Sequence, residues 1–174
     1  FLDERLLRSP SFAIAECRNM TVKMSDIARD TILSAIDLID NYDESTAQTI
    51  IENEDLVDNY EDKLGTYLVK LSSKELSDSD SNEISRLLHS IGDFERISDH
   101  AVNILNTAKE IHSKGIMFSD SAKKELKVLI DAIKEIVCTT IVSFEKNDSE
   151  LAMQIEPLEQ VIDNIAAEMK TRHI

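Results

Sequence analysis

The chain has 174 residues and a formal net charge of −15 at pH 7, with three glycines, two prolines and no tryptophan. This length suits a single domain with a sizeable core, and the scarcity of helix-breaking residues favours a mostly helical fold. The negative charge excludes nucleic acid as a partner held by surface electrostatics, and it argues equally against docking on anionic lipid.

The first two predicted helices follow one another closely. Ser9-Pro10 is a helix-start signal, with serine as the cap and proline in the first turn. An apolar stripe then runs from Phe12 at the helical period and predicts a first helix to about Tyr42. A second helix is predicted from about Ser45 to Ser72.

A polar loop introduces the third predicted helix. The segment Ser77–Ser81 alternates serine and aspartate, which is typical of a loop and N-terminal cap. The helix that follows extends to about His112, and the Lys114-Gly115 step predicts its end.

Two further helices are predicted in the rest of the chain. The fourth is capped by Ser119 or Asp120 and runs to about Lys146. Asn147–Ser149 marks a turn before a fifth helix that reaches the C-terminus. Pro157 falls inside that helix and is expected to kink it, because proline lacks an N–H. The predicted fold is an all-α antiparallel bundle of five long helices.

The sequence also echoes itself after a shift of 105 residues. The pairs that coincide include Ile50 with Ile155, Glu54 with Glu159, Asp58 with Asp163 and Asn59 with Asn164. The predicted first and second helices are thus repeated by the fourth and fifth. We therefore expect residues 1–174 to form a single domain, with one complete three-helix repeat over about 10–114 and a truncated second repeat over about 115–174.

Two acidic pairs interrupt the apolar stripes of the predicted bundle. Glu54 and Asp58 lie on the second helix, and Glu95 and Asp99 lie on the third; Glu61 shares the face of Glu54. Residues four apart are neighbours on a helix surface, so each pair sets two carboxylates side by side. Carboxylates in an apolar setting are costly unless they are paired, hydrogen-bonded or bound to a metal.

Two interpretations of these pairs remain open from the residues alone. A solvated, charged helix face explains most acidic pairs in so acidic a chain. Alternatively, four carboxylates that face each other across antiparallel helices can hold Mg²⁺, Mn²⁺, Fe or Zn²⁺. His100 and Asn103 are close enough in sequence to complete or orient such a site. The echo at Glu159 and Asp163 favours the second interpretation.

Other signals point to a reduced, non-enzymatic, cytoplasmic protein. Cys17 and Cys138 fall in helix-like stretches without Cys-x-x-Cys spacing, so both are expected to be small core residues. The sequence has no Gly-rich phosphate loop, no Gly-x-Ser-x-Gly elbow and no His-Glu-x-x-His motif. It has no Glu-x-x-His pair of the ferritin-like di-iron type either. We therefore expect no catalytic residues.

The stretch 91–104, IGDFERISDHAVNI, closely resembles the signature of PhoU-like domains. The resemblance implies two three-helix repeats, each with a paired E(D)-x-x-x-D motif that binds a metal cluster. Glu54/Asp58 with Glu95/Asp99 match the first repeat's motif, and Glu159/Asp163 match half of the second. Ala166 stands where the first repeat has Glu61, so the second site is expected to be incomplete.

The two ends of the chain resemble one branch of this family. Phe1–Ser11 and Lys170–Ile174 are similar to the version fused behind the membrane part of bacterial Na⁺/phosphate cotransporters. This resemblance implies a regulatory domain that modulates phosphate uptake, tethered at the inner membrane through a transporter domain that acts as its partner. Phosphate as a ligand and homo-oligomers formed through the incomplete repeat are further expectations. The alternatives are a stand-alone regulator of a phosphate ABC transporter and its sensor kinase, or a structural helical module.

Overall fold

The computed structural model describes residues 2–146 together with Gln160, and its long elements are helices. A short 3₁₀ helix, Glu4–Arg8, precedes α1 (Pro10–Asp37), α2 (Glu44–Ser72), α3 (Asp78–Lys114) and α4 (Asp120–Lys146). The all-α prediction is confirmed for this part of the chain. The predicted fifth helix and the kink at Pro157 lie outside the described residues. Within those residues, no helix combines the length and apolar character needed to cross a membrane.

Short connections fix the directions of the first three helices. Residues 38–43 join α1 to α2 and residues 73–77 join α2 to α3. A helix of this length spans about 40 Å, which so few residues cannot bridge, so consecutive helices run antiparallel. α1 and α3 are therefore parallel neighbours. Near their starts Ser11 Oγ donates to Asp80 Oδ2 at 3.0 Å, and at the other end the rings of Tyr42 and His112 stack at 4.7 Å.

Helices α1, α2 and α3, here called the three-helix unit, enclose one apolar core. Its fully buried large side chains come from every helix of the unit and include Met24, Ile32, Leu64, Leu68, Leu87 and Phe94. α4 joins this core through Val137, Ile141 and Phe144, all in its C-terminal half. The three-helix unit spans the residues of the predicted first repeat, and the described part of the predicted second repeat is α4.

Most of the predicted helix signals have the expected structure. The Ser77 side chain accepts from the Asp80 N–H and caps α3, and Ser119 Oγ accepts from the Ala122 N–H at the start of α4. Gly115 ends α3 in the left-handed conformation, with φ of 63°. Pro10 is the first residue of α1, but the Ser9 side chain makes no capping hydrogen bond.

Three details of the sequence-based prediction are wrong. α1 ends at Asp37, not near Tyr42, because the chain unwinds after Leu38 and enters α2 through an extended Asp43 that caps it. Phe12 is 56 % exposed although it begins the predicted apolar stripe. Cys138 is exposed, whereas Cys17 is buried as expected. Cys138 is adjacent to Val137, and a single step of about 100° around the helix turns it away from the core.

Candidate metal site

Helices α2 and α3 bring five carboxylates to one place on the three-helix unit. Glu54, Asp58 and Glu61 lie on successive turns of α2, and Glu95 and Asp99 lie on successive turns of α3. The i, i+4 spacing sets each pair on one side of its helix, and the antiparallel packing of α2 on α3 turns these sides toward each other. We call these five residues the carboxylate cluster.

The carboxylate oxygens are spaced as the ligands of a small cation would be. Glu54, Asp58 and Asp99 offer oxygens that all lie within 4.8 Å of one another, and so do Asp58, Glu61 and Glu95. Oxygens on opposite sides of a cation lie about 4–5 Å apart when each bond is 2.0–2.6 Å long. Asp58 belongs to both sets, so two ions held there would be neighbours with Asp58 between them.

The cluster lies at the edge of the core and not within it. Ile50, Val57 and Leu64 on α2 are buried, but Glu54, Asp58, Glu61 and Glu95 are only half-buried and Asp99 is exposed. The expectation that the acidic residues interrupt the buried stripes therefore holds only in part. Partial exposure leaves an entry path for an ion and still reduces the hydration of the carboxylates.

The pKa values of three carboxyl groups in the cluster are raised. Burial is the largest cause that raises the pKa of Glu54 to about 7, followed by the charge of Asp58 and a hydrogen bond with it. Burial also leads the causes that raise the pKa of Glu95 to about 7, followed by its hydrogen bond with Asp99 and the charge of that residue. For Glu61, burial and the neighbouring charges of Asp62, Asp58 and Asp99 raise the pKa.

These shifts show that the cluster is unfavourable in its fully ionised form. Like charges at this separation repel, and the half-buried setting weakens the screening by water. Two ways of relieving the repulsion are available: the carboxyls can share protons, or a cation can replace the protons. The donor set consists only of carboxylate oxygens, which suits hard or borderline cations such as Mg²⁺ and Mn²⁺, and also Fe or Zn²⁺.

The other predicted site residues are placed differently. His100 is half-buried and belongs to neither ligand set within the described residues, and Asn103 is exposed. The predicted second site, Glu159 and Asp163, lies outside the described residues. Glu61, predicted only as an additional ligand, is a full member of the second set. Its signal in the sequence was its position seven residues after Glu54, on the same helix face.

A row of charged side chains borders the cluster on α3. Asp93 lies 3.8 Å from Arg96 Nη1 and 3.5 Å from His89 Nε2, at the i, i+3 and i, i+4 spacings of a helix. Exposed pairs of this kind add little stability, typically about 0–1 kcal/mol.

Comparison with known proteins assigns the family. A search of curated proteins finds no match. The family model of the PhoU domain matches residues 21–108, which include most of α1, all of α2 and α3 as far as Ala108. The matched segment contains every residue of the carboxylate cluster, and the match covers half of the chain. The chain belongs to the PhoU domain family, which is linked to the regulation of phosphate uptake.

Proposed function

We propose that this PhoU domain is a metal-dependent regulator of phosphate uptake that acts on a sodium-dependent phosphate transporter and is not itself an enzyme. The observation that carries the proposal is the carboxylate cluster, in which α2 and α3 each contribute ligands to the same two oxygen sets. A cation held there would bind the two helices together, and its loss would leave repelling charges between them.

Metal binding gives such a domain a way to respond to its surroundings. The ion would need deprotonated carboxylates, so binding releases protons from Glu54 and Glu95, whose pKa values are raised to about 7. The bound ion would also place positive charge on a chain whose formal charge is −15. In this proposal that local positive charge is where phosphate, or an acidic surface of the transporter, is recognised.

The proposed location and partners rest on the resemblance of the chain's two ends to transporter-linked PhoU domains. We propose that the domain lies on the cytoplasmic side of the inner membrane, tethered to the transporter domain. Self-association through the second repeat is part of the same proposal. The parent open reading frame tests the tether, because membrane-spanning sequence encoded before Phe1 is expected. Its absence, with a phosphate ABC transporter gene nearby, would favour the stand-alone regulator.

Elemental analysis tests metal binding. Purified protein is stripped with a chelator, incubated with Mn²⁺, Fe²⁺, Zn²⁺ or Mg²⁺, desalted and analysed for bound metal. At least one metal should remain in stoichiometric amount, and Glu54→Gln or Glu95→Gln should lose it. Glu52→Gln is the matched control, because Glu52 is an exposed acidic residue of α2 outside both oxygen sets. No metal above background in the unaltered protein would leave the structural helical module as the better account.

Phosphate uptake by cells that carry the complete protein tests the regulatory role. The Glu95→Gln variant should transport phosphate but should fail to adjust uptake when external phosphate changes, while Glu52→Gln should adjust it normally. Unaltered regulation in a variant shown to have lost its metal would contradict metal-dependent regulation.

A further inference from the structure

Arg18 connects three helices at the point where α4 meets the three-helix unit. Its Nη1 donates to Glu83 Oε1 of α3 at 2.9 Å, and this ion pair is largely shielded from solvent, with exposed side-chain fractions of 28 % and 21 %. Its Nη2 donates to the main-chain carbonyls of Phe144 and Glu145 at 3.3 and 3.4 Å. The guanidinium carbon lies 4.9 Å from the centre of the Phe144 ring.

A single side chain of α1 thus contacts both α3 and α4. The carbonyls of Phe144 and Glu145 lie in the last described turn of α4. The other oxygen of Glu83 accepts from Arg86 at 3.1 Å, which holds the carboxylate in place for Arg18. A single guanidinium therefore joins α1, α3 and α4.

The buried core residues of α4 are concentrated in one part of the helix, although the partly buried Ile130 and Ile133 also pack against the core. Its core residues Val137, Ile141 and Phe144 recur at the helical period in the C-terminal half, and Phe144 meets Phe94 of α3 edge to face at 5.3 Å. In the N-terminal half only Ala122 is buried, and Val128 is 59 % exposed. α4 is linked to α3 through residues 115–119, which begin with Gly115 at φ 63°.

We propose that α4 is an arm that docks on and undocks from the three-helix unit, that Arg18 is the latch for its docked state, and that docking is coupled to the carboxylate cluster. The coupling would pass through Phe94, which is fully buried, contacts Phe144 and precedes Glu95 in α3. Undocking removes one wall of the Phe94 site, so the turn of α3 that carries Glu95 would lose its fixed position. The role of Arg18 as the latch is inferred from geometry alone, whereas the coupling between docking and the carboxylate cluster rests on the proposed metal-binding function.

Hydrogen–deuterium exchange of the metal-free protein tests the latch. Arg18→Met retains an unbranched apolar stem and removes the guanidinium. It should accelerate exchange over residues 130–146 by about tenfold or more while α2 stays protected. Arg29→Met is the matched control, because the ion pairs of Arg29 are with Asp26 and Asp30 of its own helix. Unchanged exchange over 130–146, or an equal rise in every helix, would overturn the latch.

Two further variants keep this test decisive. If Arg18→Met does not fold, Arg18→Lys is tested instead. It retains the charge but lacks the planar group that reaches Glu83 and both carbonyls, so it should show a smaller increase in hydrogen–deuterium exchange, confined to α4. Phe144→Leu removes the ring contacts with Arg18 and Phe94, and it should also loosen residues 130–146 selectively. Normal protection of α4 in both variants would overturn the latch.

Titration with Mn²⁺ tests the coupling separately. Arg18→Met should weaken Mn²⁺ binding by about fivefold, and saturating Mn²⁺ should reciprocally slow exchange over residues 130–146 in the unaltered protein. Equal affinities in Arg18→Met and the unaltered protein would overturn the coupling and leave the latch standing. If the unaltered protein binds no Mn²⁺ or other metal, the proposed function fails and with it the coupling, while the exchange data still decide the latch.

Discussion

Asp58 and Glu95 belong to different helices and are far apart in sequence, yet they offer carboxylate oxygens within 4.8 Å of one another. Glu61 completes their set, and Asp58 also belongs to the set with Glu54 and Asp99. Holding these like charges together destabilises the fold unless protons or a cation neutralise them.

The metal-free protein should become less stable as pH rises toward neutrality. The pKa values of Glu54 and Glu95 are raised from the ordinary 4.5 to about 7, so between these values the folded state binds more protons than the unfolded state. The stabilisation by protonation is therefore fully present below pH 4.5 and is lost as pH rises through 7. Urea unfolding in a chelator at about pH 5.5 and about pH 8 measures the change.

A neutral double variant separates this effect from the general repulsion of an acidic chain. Glu54→Gln combined with Glu95→Gln should flatten the pH dependence and should stabilise the metal-free protein at pH 8 by about 1 kcal/mol, after allowance for solvent screening at half-exposed sites. A pH dependence as steep as that of the unaltered protein would show that other groups cause it.

Substitutions at a glycine within α3 and at the glycine that follows its last residue should have opposite effects. Gly92 lies within the helix, and a Cβ there would meet no atom within 4 Å, so Gly92→Ala should stabilise the fold by about 0.5–1 kcal/mol. Gly115 has φ of 63°, where an L side chain is strained, so Gly115→Ala should destabilise it by about 1–2 kcal/mol. Thermal unfolding of both variants provides the measurement. Stabilisation by Gly115→Ala would contradict the described end of α3.

The two cysteines should differ in reactivity. Cys138 is exposed, whereas Cys17 is buried and burial raises the pKa of its thiol to about 12. A maleimide should therefore modify one thiol in the native protein at pH 7.5 and two after unfolding in urea, because the thiolate is the reacting form. Mass spectrometry of the labelled peptides identifies the site, and fast native labelling of Cys17 would contradict the packing of α1.

Local signals in the sequence predicted much of this fold. Ser77, Gly115 and Pro10 act at helix ends through contacts with neighbours in the chain, so their residue types alone indicate where α3 and α1 begin or end. The approach of the two acidic pairs also followed from helical spacing and antiparallel packing. Their metal-binding role stays a prediction.

Other features depend on contacts that no local pattern encodes. Arg18 meets Phe144 across 126 positions of sequence, and nothing near Arg18 distinguishes it from a solvated arginine. The half-buried setting of Glu54 and Glu95 reflects how closely α2 and α3 pack, which apolar periodicity does not specify. The exposure of Cys138 likewise depends on which side of α4 meets the three-helix unit.

A double-mutant cycle in Mn²⁺ binding tests the central claim most directly, with Asp58→Asn on α2 and Glu95→Gln on α3. If both carboxylates hold the same ion, each variant should weaken binding by at least about tenfold, relative to Glu52→Gln, and the pair should show a coupling of at least about 0.5 kcal/mol. Calorimetric titration of chelator-stripped protein measures all four affinities. Binding that neither substitution affects, or losses that simply add, would contradict a cation held between α2 and α3.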